Sequence, residues 1–151
     1  MAVQVSVVGS GAEHEERAEA VGRLLAERGA TVLTGGLGEV VMAAASRGAK
    51  GAGGTTIGIL PGETRAGANP WLDHVVISGI GHARNLAVVA SGDAVIAVSG
   101  RYGTLAEIGF ALTLERPVVV LEPGWEVEGT HRAATPEEAV EFALAAARPR
   151  S

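Results

Sequence analysis

Residues 93–122 decide the fold, and they read D-A-V-I-A-V-S-G-R-Y-G-T-L-A-E-I-G-F-A-L-T-L-E-R-P-V-V-V-L-E. The apolar run 94–98 leads into a glycine-rich turn at 99–103, and a helical pattern follows to Glu115. Pro117 then opens a second apolar run. This order predicts a strand, a helix and a second strand. Because both strands are almost entirely apolar, we expect them to lie parallel in a sheet that helices cover on both faces.

The glycine-rich turn 99–103 is where we expect a ligand. It joins the carboxyl end of a strand to the amino end of a helix, where free N–H groups and the helix dipole favour an anion. Gly100 and Gly103 leave the backbone bare, and the hydroxyl of Thr104 follows directly. The turn therefore predicts a site for a phosphate-bearing ligand.

Apolar runs and helical patterns alternate along the rest of the chain, and several of the runs end in glycine-rich turns. This alternation predicts a single-domain, Rossmann-like, doubly wound α/β fold over residues 1–151, with a mainly parallel sheet and helices on both faces. Ligands of such folds bind beyond the carboxyl ends of the strands, where the strand order reverses. The other predicted elements are strands at 3–8, 31–34, 55–60 and 74–77, helices at 13–28, 39–46, 82–91 and 135–147, and an exposed loop at 63–70.

Composition excludes several classes of function. The net charge of −5 gives no basic surface for nucleic acid or a membrane. There is no Cys, and the four His lie far apart without metal-ligand spacing, so we expect no disulfide and no metal site. The chain shows no signal peptide and no apolar stretch of membrane-spanning length, so we expect a cytoplasmic protein.

Three common nucleotide or hydrolase motifs are missing. Gly9 and Gly11 could open a dinucleotide fingerprint, but its third glycine position holds His14. The second strand ends at Thr34 with no acidic residue for a ribose, and neither a P-loop nor a G-x-S-x-G motif occurs.

The segment 104–107, T-L-A-E, has two interpretations. T-x-x-E is the pattern of a capping box, in which Thr104 would cap the helix and Glu107 would bond back to the cap. The same pattern recurs at 135–138, T-P-E-E, which we interpret as purely structural. Because a strand and a bare glycine-rich turn precede only the first copy, a ligand role for Thr104 and a catalytic role for Glu107 are the alternative there.

Arg84 lies in the first turn of a predicted helix, where a cation opposes the helix dipole. It could be a solvated or Glu-paired surface residue. The alternative is that its guanidinium contacts a phosphate or ribose at the same edge of the sheet, and we favour this second interpretation.

Several segments resemble the Lonely Guy (LOG) family, also described as possible lysine decarboxylases. S-G-R-Y-G-T-L-A-E resembles the family's P-G-G-x-G-T-x-x-E, and G-H-A-R-N resembles M-H-x-R-K. The run from T-G-G-L-G-E to T-I-G-I-L-P is similar to the short branch that includes molybdenum-cofactor carrier proteins. LOG enzymes cleave the N-glycosidic bond of nucleoside 5′-monophosphates, and LOG-like proteins form homodimers.

The resemblance implies a role for individual residues. It places the catalytic pair on Arg84 and Glu107, and the phosphate-binding turn on Gly100, Gly103 and Thr104. The sequence departs from the family pattern at three positions. Ser99 stands where the pattern has Pro, Arg101 where it has Gly, and Asn85 where it has Lys. Arg101 would either add a phosphate contact or fill the pocket. The resemblance also implies that Ser99 and Arg101 belong to the phosphate-binding turn. The rest of the implied pocket is formed by Gly9, Ser10, Gly35 and Gly36.

Three functions stay open at this point, and the departures weigh more against hydrolysis than against anion binding. The first is a binding protein for a phosphorylated small molecule, with a nucleotide or the molybdenum cofactor as ligand and no obligatory cofactor. The second is a LOG-type phosphoribohydrolase. The third is a dimeric structural or regulatory module without a ligand. In each case we expect a homodimer or higher homo-oligomer, with no nucleic acid or membrane partner.

Overall fold

The computed structural model describes residues 1–149 and contains one seven-stranded sheet in which all paired strands are parallel. Five α-helices cover its two faces, which confirms the predicted doubly wound α/β fold. The strands are β1 Gln4–Ser10, β2 Thr31–Thr34, β3 Thr56–Leu60, β4 His74–Ile77, β5 Ala94–Ser99, β6 Val118–Leu121 and β7 His131–Ala133. The helices are α1 Glu15–Glu27, α2 Val40–Gly51, α3 Arg84–Ser91, α4 Tyr102–Thr113 and α5 Pro136–Ala146.

The central strands are buried on both faces, as their continuous apolar sequences require. Along β5, Ile96 and Val98 pack into the core beneath α1, α2 and α5. The intervening Val95 and Ala97 pack into a second core beneath α3 and α4. This alternation follows from the period of two in a strand, and it fixes which helices lie on which face.

The strand order β4-β3-β2-β1-β5-β6-β7 reverses between β1 and β5. The chain moves outward from β1 to β4, returns through α3 to pair β5 with β1, and then moves outward in the other direction. Gly9 makes the close pairing with Val98 possible there, because a Cβ at Gly9 would collide with the Val98 carbonyl. The glycine-rich turns after β1 and β5 therefore meet at the switch point.

Some predicted boundaries are wrong. We predicted that α2 ends at Ser46, but it continues through Gly48 to Gly51. Gly48 is required there by packing, because a Cβ would collide with the Glu19 carbonyl of α1. The short strand β7 was not predicted, since H-R-A has no apolar run and owes its pairing to β6.

The loop 63–70 is largely exposed as predicted, but Ala68 is half-buried and Asn69 is buried. Asn69 is buried, and its amide donates to the carbonyls of Gly36 and Leu37 at 3.4 and 3.3 Å. Its backbone N–H also donates to Gly36 at 2.9 Å. The loop therefore anchors the turn after β2.

No helix within residues 1–149 has both the length and the apolarity to cross a membrane.

Candidate functional site

A cavity of about 300 Å³ opens at the carboxyl-terminal edge of the sheet and includes the switch point between β1 and β5. Its walls come from the end of β1 and from the segments that follow β2, β3, β4 and β5. Such a volume lies at the lower end of small-molecule sites. Of the residues predicted from the sequence, the cavity brings together Gly9, Ser10, Arg84, Arg101, Gly103, Thr104 and Glu107.

The other predicted residues lie behind the cavity wall. Gly35 makes room for Arg84, because a Cβ there would lie 2.8 Å from the guanidinium Nη2. Gly36 packs against Gly58 and Leu60 at a positive φ of 76°. Ser99 and Gly100 form the turn itself. Among the described residues, four predicted site residues do not line the cavity: Gly35, Gly36, Ser99 and Gly100.

Arg84 is the first residue of α3, and it is 6% exposed. Its guanidinium donates to the side-chain oxygen of Asn85, while its Nε is buried without a hydrogen-bond partner. Burial lowers the pKa of Arg84, and the nearby carboxylates of Glu107 and Glu39 act in the opposite direction. The interpretation of Arg84 as a solvated surface residue is therefore wrong. Its guanidinium is a desolvated cation that faces the cavity.

Glu107 lies in α4 on the wall of the same cavity and is 9% exposed. Burial raises its pKa from 4.5 to about 7, Arg84 lowers it, and Glu39 raises it. Near neutral pH the carboxyl is therefore present in both protonation states. Such a group can give or take a proton at physiological pH.

The turn after β5 has an irregular backbone that positions the start of α4. Ser99 has a φ of 55° and Gly100 a φ of 115°, so two successive residues lie in the left-handed region. The helix begins at Tyr102, and Arg101 at the N-cap provides no side-chain cap. The N–H groups of the first helical turn therefore have no partner within the helix and lie beside the cavity.

Of the two interpretations of 104–107, the capping box is wrong. Thr104 lies inside the first turn of α4, two residues beyond the helix start, and is 4% exposed. Its side chain packs directly under Gly100, where a Cβ would collide with its hydroxyl oxygen. Tertiary packing against the turn overrides the local capping preference, so the hydroxyl and the Glu107 carboxyl both line the cavity.

Six further side chains of the cavity were not predicted as site residues. Glu39, at the N-cap of α2, is charged and was assigned only to a helix start. His82 and Asn85 lie on either side of Arg84; a lone His is more often structural than a polar contact for a ligand, and Asn85 stands where the LOG pattern has Lys. The apolar part of the lining comes from Leu37, Met42 and Pro61. Their common signal is that each lies within a few residues of the end of a parallel strand or the start of the following helix.

Residues 1–149 contain no group of three or more His, Asp or Glu side chains that could hold a metal ion.

The family model described as the SLOG cluster4 family matches residues 2–148. The chain belongs to the SLOG cluster4 family. This assignment confirms the LOG-like resemblance of the sequence motifs. The SLOG chain is 41% identical over 145 residues to an uncharacterized protein of Archaeoglobus fulgidus, covering 94% of this chain and 95% of that one. It is 30% identical over 126 residues to the cytokinin riboside 5′-monophosphate phosphoribohydrolase of Mycobacterium tuberculosis, covering 78% of this chain and 67% of that enzyme.

Solved structures similar to this SLOG protein include molybdenum-cofactor proteins. The molybdenum cofactor binding protein of Rippkaea orientalis superposes with a TM-score of 0.90 at 32% identity, covering 96% of this chain and 97% of that one. The molybdenum cofactor carrier protein of Chlamydomonas reinhardtii superposes with a TM-score of 0.85, also at 32% identity, covering 96% and 99%. The similarity to the carrier branch is therefore confirmed over nearly the full length of the fold.

Proposed function

We propose that this SLOG protein binds a phosphorylated small molecule, a nucleotide or a pterin-type cofactor, in the cavity at the switch point. The observation that carries the proposal is the buried guanidinium of Arg84, whose Nε has no partner and which lies beside the unpaired amino end of α4. A buried cation without a full set of acceptors is costly unless an anion completes it.

The phosphate would lie at the start of α4. The first-turn N–H groups and the Thr104 hydroxyl supply donors, and the Arg84 guanidinium supplies charge. Arg101 is exposed and lines the cavity, so it can add a contact without filling the pocket.

The residues present fit either kind of ligand. A Cβ at Gly103 would meet no atom within 4 Å, so the backbone at this position faces open space that a ligand can enter. The molybdenum-cofactor proteins of Rippkaea orientalis and Chlamydomonas reinhardtii support a pterin-type ligand. Such a cofactor would supply its metal-dithiolene chemistry elsewhere after delivery. Here its phosphate would be held by Gly103, Thr104 and Arg84.

Calorimetric titration with AMP, GMP, a pterin monophosphate and inorganic phosphate tests the proposal. We expect wild-type protein to bind at least one organic phosphate. Arg84→Met should weaken that binding at least about tenfold, since a charge-assisted hydrogen bond is lost. Arg23→Met is the matched control, because Arg23 forms an exposed ion pair with Glu27 away from the cavity lining, and its substitution should leave binding unchanged. No binding by the wild type to any of these probes would overturn the proposal and favour the third function, a module without a ligand.

Glu107 favours a second function, hydrolysis of a nucleoside 5′-monophosphate. A buried carboxyl with a pKa of about 7, in the same cavity as Arg84, suits a reaction in which positive charge develops on a sugar. The bond between C1′ and the base nitrogen would break, water would add to C1′, and the base would leave with a proton. Glu107 would stabilise the oxocarbenium-like sugar or orient the water. The M. tuberculosis phosphoribohydrolase supports this alternative.

An assay that measures by chromatography the ribose 5-phosphate and free base released from a nucleoside 5′-monophosphate distinguishes the two functions. Hydrolysis that falls at least about a hundredfold in Glu107→Gln supports the enzyme. Binding without turnover supports the carrier function. Turnover that survives Glu107→Gln excludes the mechanism given above.

The remaining expectations belong to the same proposal. We propose a single LOG-like domain over residues 1–151 that acts in the cytoplasm as a homodimer. Leu86 on α3 and Phe110 on α4 are 43% and 37% exposed, which supports a partner on this helical face. Light scattering after size-exclusion chromatography tests the dimer, and a monomeric mass at micromolar concentration would contradict it.

A further inference from the structure

Glu39 is a charged cavity residue that neither the motifs nor the proposed phosphate site uses. It is the N-cap of α2, with an extended backbone and no capping hydrogen bond from its side chain. Within the described residues its carboxylate accepts no hydrogen bond and forms no ion pair, although its charge acts on both Arg84 and Glu107. The carboxylate is therefore a free acceptor on the cavity wall.

The strand order fixes how far Glu39 lies from the phosphate site. The proposed phosphate site follows β5, and Glu39 follows β2, with β1 between these two strands. Two strand spacings separate the ends of β2 and β5 by about 10 Å. This span is comparable to the length of a nucleoside monophosphate or pterin phosphate from its phosphate to the far edge of its ring.

The surroundings of Glu39 suit a planar ring. Leu37, Met42 and Pro61 give this end of the cavity an apolar lining. The turn that carries Leu37 and Glu39 is held in place by the buried Asn69, which bonds to the Gly36 and Leu37 carbonyls. Glu39 is exposed to the cavity, and a free carboxylate beside apolar walls can recognise the donor edge of a ring.

We propose that Glu39 selects a ring with two adjacent N–H donors, the 2-amino-4-oxopyrimidine shared by guanine and the pterins. The ring N–H beside the 2-amino group (N1–H in guanine, N3–H in a pterin) and the 2-amino group itself would donate in parallel to the two carboxylate oxygens. Adenine is rejected by the same geometry, because its amino group is flanked by the ring acceptor N1, which a carboxylate repels. The inference rests on the proposed function, because it requires that the phosphate of the ligand is bound at the start of α4.

Competition titrations with GMP, IMP, AMP and 6-hydroxymethylpterin monophosphate test the selection. IMP is informative because it keeps the N1–H of guanine and lacks the 2-amino group. We expect wild type to bind GMP or the pterin phosphate at least about tenfold more tightly than AMP, with IMP between them. Glu39→Gln should reduce that ratio at least about fivefold, because its carboxamide offers only one acceptor. Glu63→Gln, a substitution in the exposed loop outside the cavity lining, should keep the wild-type ratio.

The outcomes separate this inference from the proposed function. Equal wild-type affinity for GMP and AMP, or an unchanged ratio in Glu39→Gln, overturns the selection while ligand binding itself stands. Failure of every phosphate probe to bind wild type overturns the proposed function, and the selection with it. Tighter binding of the pterin phosphate than of GMP identifies a pterin ligand, and the reverse order identifies a guanine nucleotide. Either of these results supports the selection.

Discussion

Two segments of the chain share the pattern T-x-x-E at the start of a helix, and they fold differently. At 135–138, Thr135 is the N-cap of α5 and accepts a hydrogen bond from the Glu138 N–H at 3.2 Å. The Glu138 carboxylate accepts in return from the Ala134 N–H at 2.9 Å. Both side chains are exposed, and their polar groups are satisfied locally.

At 104–107 the same residue types face inward. Thr104 and Glu107 are buried, the helix starts two residues earlier, and no side chain caps it. The difference teaches that the pattern permits a cap but does not require one. A strained turn that packs on Thr104 removes the cap, and the polar groups released in this way line a cavity. Four substitution pairs test this contrast, and the largest effect comes first.

Gly100→Ala should lower the free energy of unfolding by about 2 to 4 kcal/mol, since the new methyl group collides with Thr104 at a φ of 115°. Gly129→Ala, in the loop before β7, also meets a positive φ, of 93°, but its Cβ would lie 3.3 Å from the flexible Leu112 side chain. Its cost should be about 1 to 2 kcal/mol. Urea denaturation measures both, and equal costs would show that Thr104 does not pack on the turn.

Glu107→Gln should raise the free energy of unfolding at pH 8 by up to about 3 kcal/mol, because the pKa of Glu107 is raised from 4.5 to about 7. Between these two pH values the unfolded chain has lost the proton and the folded chain retains it. The contribution of the Glu107 carboxyl to the free energy of unfolding of the wild type is therefore fully present below pH 4.5 and decreases as pH rises towards 7. Below pH 4.5 the variant and the wild type should converge.

Glu138→Gln is the control for this pH dependence. It removes only an exposed charge near a helix start, and should lower stability by about 0.3 to 1 kcal/mol at neutral pH. Thermal unfolding from pH 4 to pH 8 gives both curves. A Glu107→Gln variant that is destabilised at pH 8 would contradict the burial of an unpaired carboxyl.

Thr135→Ala should cost about 1 kcal/mol through the lost cap, and leave ligand affinity unchanged. Thr104→Val should do the opposite, with stability within about 1 kcal/mol of wild type and phosphate affinity about tenfold lower. Calorimetry provides the affinities and denaturation the stabilities. If Thr104→Val lost as much stability as Thr135→Ala without any loss of affinity, Thr104 would be a structural residue.

Gly103→Ala and Gly109→Ala should each raise stability by up to about 1 kcal/mol, because both lie in α4 and a Cβ meets nothing within 4 Å. Only Gly103 lines the cavity, so only its substitution should weaken phosphate binding. Comparable affinities in the two variants would place the phosphate away from the start of α4.

Much of the fold was predictable because its signals are local. The apolar run 94–98 became β5 with one added residue, and β2 and β4 match their predicted bounds. β7 was missed because its pairing comes from β6 rather than from its own sequence. The end of α2 was misplaced because glycine ordinarily ends a helix, whereas Gly48 allows the backbone of α1 to pack closely.

The candidate site was predictable only where a residue follows a glycine-rich strand end. Arg84, Gly103, Thr104 and Glu107 met this condition, and all of them line the cavity. Glu39 also follows a glycine-rich strand end, at 35–38, but it was not predicted as a site residue because a Glu at a helix start is ordinary. Asn69 was hidden in a segment with the composition of an exposed turn, and its burial follows from contacts with the distant turn after β2.

The sequence by itself determined the succession of strands and helices, because periodicity and turn residues act between close neighbours. It also determined which residues follow the carboxyl ends of the strands, and hence the edge at which polar groups collect. The tertiary structure alone decided that β5 pairs with β1, that Thr104 turns under Gly100, and that Arg84, Glu107 and Glu39 share one cavity. Those outcomes depend on packing between segments far apart in the chain, where burial and close backbone contact outweigh local preference.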